Sequence, residues 1–260
     1  MLVTLCVISV LAPWLTPYDP AAQPDIVTLK SRPPSLAHPF GTDPVSRDVL
    51  SRVLDGSRVS LAVALASVML SAVLGTAYGA VAGMSGRRVD AVLMRVVDAL
   101  ASVPRVLVLV AVLSLWGAIP VSALVVLIGA TGWFATSRLV RAEVRAVHGR
   151  DFVLAAAALG ASRARLLARH VLPNALSPVV ISATLGVGNV IALEAALAYL
   201  GIGVQPPRAS WGNIIHDGAD QIAQLWWVSL FPGLAIAITV MAVNRLGDGL
   251  RDALNPRGDR

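Results

Sequence analysis

An all-α polytopic membrane protein is the fold class this sequence predicts, on three observations. The chain of 260 residues is 56% hydrophobic and only 14% charged, whereas soluble domains carry about a quarter charged residues. Its long uncharged runs match the roughly 20 residues that cross a hydrocarbon core. Its basic residues crowd between two of those runs: Arg138 to Pro173 holds seven arginines against Glu143 and Asp151.

Six spans follow in order. Leu2–Leu15 is short and Val59–Ala82 is long and free of charge. The uncharged run from Val106 to Ser137 is broken by Gly117 and Pro120, and reads as two antiparallel spans near 100–117 and 121–138 with a tight turn between them. Leu176–Leu200 is interrupted only by Asn189 and Glu194, and Trp226–Leu246 opens on two interfacial tryptophans. The first run also reads as a cleaved signal peptide. Against that, no basic segment precedes it, no small-residue cleavage site follows, and Pro13, Pro17 and Pro20 suit a helix leaving the membrane. A true start upstream of Met1 stays open.

Orientation follows from the arginines. With the 138–173 segment inside by the positive-inside rule, both termini are cytoplasmic, as is the turn at Arg87 and Arg88. The 17–57 and 201–225 segments then lie outside.

Several classes lack their residues. Cys6 is the single cysteine, and the four histidines make no metal-ligand pair, so no metal site or cofactor is expected. Lys30 is the only lysine, so the chain has no phosphate loop. No catalytic constellation marks an enzyme. The +6 net charge sits beside spans, which argues for membrane lipid rather than nucleic acid as its partner.

Within 138–173, alanine-rich helix formers, a break at Gly160–Ser162 and a terminal Leu172-Pro173 predict two short helices ending at the membrane edge. Gly160 permits the turn between them. A membrane protein that builds an ordered loop there presents it to something.

That segment also carries a family frame. Leu154-Ala155-Ala156, Gly160, His170 and Leu172-Pro173 keep the spacing of the EAA motif, with Leu154 where glutamate is usual and His170 where an aliphatic residue is usual. The match extends to Tyr18-Asp19-Pro20, to HPFGTDPVSRDVLSRVLDGSRVSL from His38, and to FVLAAAALGASRARLLARHVLPNALSPVV from Phe152. It continues in LAYLGIGVQPPRASWG from Leu197 and FPGLAIAITVMAVNRLGDGLRDALNP from Phe231, with Ser46 and Asn255 departing from the usual glycine and aspartate. The chain resembles the permease subunits of ATP-binding-cassette importers, specifically the second permease of the dipeptide, oligopeptide and nickel group.

The resemblance implies a type I importer transmembrane domain in a bacterial plasma membrane. Residues 1–56 would be a first helix with an extracytoplasmic segment, and 57–260 the permease core with a coupling segment at 150–173. The implied partners are a homologous second permease, two ATPase subunits and an extracytoplasmic substrate-binding protein. Phe152, Leu154, Ala155, Ala156, Gly160, Ala161, Ser162, Arg169, Leu172 and Pro173 would form the ATPase-coupling surface. Arg163, Arg165 and Arg169 would face an acidic partner or lipid phosphate, or else serve only as topology determinants. Nickel or metal-chelate importers share the frame, so they remain an alternative to peptide cargo. A stand-alone secondary transporter would need internal repeats, and none is detected.

Other residues carry weaker signals. Glu194, together with Asn189, lies either beside the translocation path or the interface with a partner permease, or at the outer membrane edge, solvated or capping a helix. Gly75, Gly79 and Gly83 form a small-residue stripe suited to close helix packing. Asp90, Arg95, Asp98 and Arg105 are expected to pair locally at the start of the third span. Asp43, Arg47 and Asp48 either contact a substrate-binding protein or belong to a solvated or self-paired loop.

Overall fold

The computed structural model describes residues 2–116 and 119–254, the side chains of Leu2 and Val3 excepted; Met1, Gly117, Asn255, Pro256, Arg257 and Arg260 fall outside these. Twelve α-helices carry the described chain: α1 (Leu2–Leu15), α2 (Val49–Met84), α3 (Arg87–Ala101), α4 (Arg105–Trp116), α5 (Val121–Gly132), α6 (Phe134–His148), α7 (Asp151–Ala158), α8 (Arg163–Leu166), α9 (Leu172–Ala175), α10 (Ser177–Tyr199), α11 (Trp211–Gly218) and α12 (Trp226–Leu254). No strand occurs among the described residues.

Length and apolarity qualify α2, α10 and α12 as spans, and the bent pairs α3/α4 and α5/α6 raise the total to five. The expected six-span count meets its limit at α1, whose 14 residues rise only about 21 Å at the helical repeat. The third and fourth spans also differ from expectation. Each is two helices, bent by 65° at 102–104 and by 46° at Trp133. Pro104 explains the first bend, because its ring cannot continue a helix from Ala101. The helices also outrun the apolar runs: α2 begins ten residues before Val59 and α12 continues eight past Leu246. Charge marks where a helix leaves hydrocarbon, not where it stops being a helix. Residues 56 and 57, the expected domain boundary, lie inside α2.

The described contacts gather into two compact units. One comprises Met1–Ala66, Val110–Val125 and Val187–Leu246; the other comprises Ser67–Leu109, Val126–Gly186 and Gly247–Arg260.

In the first unit a buried ionic cluster ties the segment before α2 to α11. Asp43 Oδ2 accepts from Arg47 Nε and Arg52 Nη1, both at 2.6 Å, and Asp217 Oδ2 accepts from Arg47 Nη2 and Arg52 Nη1, both at 2.7 Å. Two arginines and two aspartates cancel, and the Asp43 Oδ1 lone pairs are filled by the amides of Val45 and Arg47. His38 bonds Asp48 across 2.8 Å nearby. Of Asp43, Arg47 and Asp48, the first two pair with each other and share Arg52 and Asp217, while Asp48 pairs with His38 and the Ser51 amide. The same segment reaches α12: Phe40 stacks on Phe231, and Trp227 Nε1 donates to Thr42 O over Gly41, whose φ of +73° and missing Cβ the packing requires.

In the second unit the glycine stripe of α2 faces α6. A Cβ at Gly79 would sit 2.4 Å from Ser137 O, and one at Gly83 2.6 Å from Val144. This close approach is the packing that such spacing favours.

Candidate functional site

The coupling candidates occupy an elbow built on α6. Asp90 of α3 is buried and fixes that base: Arg141 binds both its carboxylate oxygens and Arg145 Nη2 binds Oδ2 at 2.6 Å. Of the residues expected to pair locally, Asp90, Arg95, Asp98 and Arg105, the two aspartates pair with arginines of α6 instead. Asp98 takes Arg138 at 2.8 Å, and Arg105 finds no carboxylate among the described residues.

From α6 the chain turns at Gly149–Arg150 into α7. Asp151 occupies the first turn of α7, where the positive end of the helix dipole favours an acid. The α7 terminus is a Schellman arrangement: Ala161 N–H reaches Ala156 O at 3.1 Å and Gly160 N–H reaches Ala157 O at 3.0 Å. Gly160 adopts φ +84° with open space around it, so backbone conformation alone demands glycine there. The Ser162 side chain then caps α8 by accepting from Arg165 N–H.

Pro173 departs from expectation. It stands inside α9 rather than ending the projection, which runs on to Ala175. A π turn at Leu167–Val171 precedes it. Such a bulge absorbs the missing proline amide without breaking the helix, and Asn174 Nδ2 bonds His170 O at 2.7 Å.

The elbow has two faces. Val153, Leu166, Val171 and Ala175 are buried on Val140, Val144 and Val147 of α6, with Ala156, Ala161 and Leu172 half-buried at the margin. Phe152 is 44% exposed, Leu154 53% and Leu159 90%. Ala155, Gly160, Ser162, Arg169 and Pro173 are exposed with them. Three predicted contact residues, Ala156, Ala161 and Leu172, thus hold the elbow together from within. Leu159, the most exposed apolar residue of the elbow, was missed; its signal was a large apolar side chain directly before the turn glycine.

Glu194 and Asn189 are not brought together. Asn189 is on the exposed side of α10, while Glu194 is wholly buried and accepts from Ser60 Oγ at 3.1 Å. Ser60 Oγ in turn accepts the Trp211 N–H, the first amide of α11, at 3.2 Å. Ser210 and Asn213 close a capping box on the same helix end. Glu194 therefore links α10 to α2 and, through Ser60, to the first amide of α11. Glu194→Gln is expected to keep uptake and stability, since the amide keeps the volume and an acceptor for Ser60. Glu194→Ala is expected to lower thermal stability by about 2 kcal/mol; a thermal shift of the two purified variants checks the difference.

Residues 75–260 match the family described as the binding-protein-dependent transport system inner membrane component. The chain belongs to that family. A Bacillus subtilis (strain 168) dipeptide transport system permease protein is 37% identical over 258 residues, covering 99% of this chain and 80% of its own length. A Brucella suis biovar 1 protein, provisionally named a peptide transport system permease, is 41% identical over 257 residues, covering 99% of this chain and 86% of its own. In fold, the chain is similar to a subunit of the inward-facing MetNI methionine ABC transporter, with a TM-score of 0.60 at 17% identity over 76% of this chain and 96% of that one. This permease is accordingly a multi-pass inner-membrane subunit of an ATP-binding-cassette importer and works with other subunits of such a transporter. The sequence resemblance and the all-α polytopic class are both borne out.

Proposed function

We propose that this permease forms half of the membrane pathway of a peptide importer. A homologous second permease supplies the other half, and two ATPase chains seat on the 150–173 elbows of the pair. An extracytoplasmic binding protein delivers the solute. Both termini and the elbow face the cytoplasm, and ATP is hydrolysed on the partner chains.

The exposed apolar face of the elbow carries this reading. Phe152, Leu154 and Leu159 project from a segment whose opposite face is fixed to α6. A rigid projection with an apolar tip transmits force to a bundle; a floppy loop would absorb it. ATP binding can shift the permease only if its two states differ in affinity for the nucleotide-bound ATPases. Peptide cargo is supported by the names of the relatives.

Reconstitution with the partner permease, ATPases and binding protein tests the proposal. Dipeptide uptake should require ATP and all the chains. Uptake by this chain alone would replace the reading with a secondary transporter, and uptake of a nickel chelate in preference to peptide would redirect the cargo.

A further inference from the structure

Arg105 lies where the two bent spans meet, and no carboxylate among the described residues pairs with it. Its Nη2 donates to Ile128 O at 2.6 Å and its Nε to Thr131 Oγ1 at 3.1 Å. The guanidinium rests over Gly132, where a Cβ would approach Nη2 to 3.0 Å. These contacts hold the group at the carbonyl end of α5, an end that favours a cation. They supply dipoles but no anion. The acids of α3 are committed elsewhere, Asp90 to Arg141 and Arg145 and Asp98 to Arg138. Arg105 also borders a hollow of about 310 Å³, shared with Thr131, Trp133, Phe134, Leu100 and Val103.

An arginine within a span is costly against lipid tails. It faces a protein interior or a watered cavity, and such residues mark substrate routes. Broken spans that meet around a polar group are also how membrane transporters build solute sites. A guanidinium held at two donors keeps further N–H groups for one oxyanion. The remaining walls are apolar or aromatic and suit the body that carries the anion.

We infer that this hollow lines the translocation pathway and that Arg105 receives the terminal carboxylate of the passing peptide. The inference rests on the peptide-importer reading and names the group by which that cargo is held. The cargo's ammonium finds no acid on this wall, so its partner belongs to the opposite half of the pathway. Anionic phospholipid is the competing occupant, since a phosphate would satisfy the same guanidinium.

The test uses the reconstituted importer with a dipeptide and its C-terminal amide, each at a concentration that saturates the binding protein. Wild type should import the free acid about tenfold faster than the amide, the scale of one charge-assisted hydrogen bond. Arg105→Gln should import both at the amide rate while retaining ATP hydrolysis, and Arg105→Lys should keep most of the preference. An unchanged acid-to-amide ratio in Arg105→Gln would overturn the inference and leave the peptide reading standing. So would equal slowing of both substrates, which marks a helix cap alone. Anionic phospholipid bound to wild type and absent from Arg105→Gln in native mass spectrometry would assign the hollow to lipid. A wild-type importer that moves neither compound would remove the peptide reading and this inference together.

Discussion

Arg52→Ala is expected to cost about 3–5 kcal/mol, the range for removing one partner of a buried ion pair. Arg52 is 2% exposed and its Nη1 bridges Asp43 and Asp217. Without it, two carboxylates share Arg47 alone, and Asp43 is fully buried. The loss should appear as a lower melting temperature of the detergent-purified protein and a smaller monodisperse fraction. Arg58→Ala is the contrast. Its pair with Asp55 is long, at 3.4 Å, and its side chain is half exposed, so solvent screening leaves it worth about 0.5 kcal/mol or less. Equal effects from the two variants would mean that the buried cluster contributes no more than a surface pair.

The second large effect is expected at the elbow, on coupling rather than stability. Phe152→Asp combined with Leu159→Asp places two charges on side chains that touch solvent in the isolated subunit, so insertion and melting temperature should hold. A partner groove that buries those side chains would have to bury the new carboxylates too. Each such burial costs several kcal/mol, so co-purification of the ATPases should fall at least about tenfold. Gly160→Val approaches the same surface through the backbone. At φ +84° a β-branched residue is strained, and the turn between α7 and α8 should open. Binding-protein-stimulated ATP hydrolysis should then persist without uptake. Full coupling in both variants would remove the elbow from the mechanism.

Much of this architecture was legible in the residues, and the exceptions have physical causes. The apolar runs located α2, α10 and α12 because transfer from water to hydrocarbon is read directly from composition. The ends of those helices were hidden, because α2 carries Arg52, Asp55 and Arg58 while still helical and α12 runs through Arg245 and Asp248. The break at Trp133 has no proline to announce it. The Gly160 turn was readable because glycine at a helix end has few other uses.

Which alanines face inward was not readable. Over eight residues with four alanines, α7 shows little contrast between its faces, so Ala155 and Ala156 looked equivalent. Only the Val140–Val144–Val147 surface distinguishes them. The depth of Glu194 was equally hidden, since its neighbours Ser60 and Trp211 are distant in sequence. The structure buries it at the end of α11, away from exposed Asn189.

One crosslink reaches the central claim directly. Cys6 is the only cysteine, so a Cys6→Ser background carrying Leu159→Cys offers a single thiol at the tip of the elbow. In the assembled importer, a short bifunctional reagent should join that thiol to an ATPase chain, and the yield should change when nucleotide is added. If the thiol instead labels freely with a water-soluble maleimide in the complete assembly and never joins an ATPase chain, the elbow is not the coupling element.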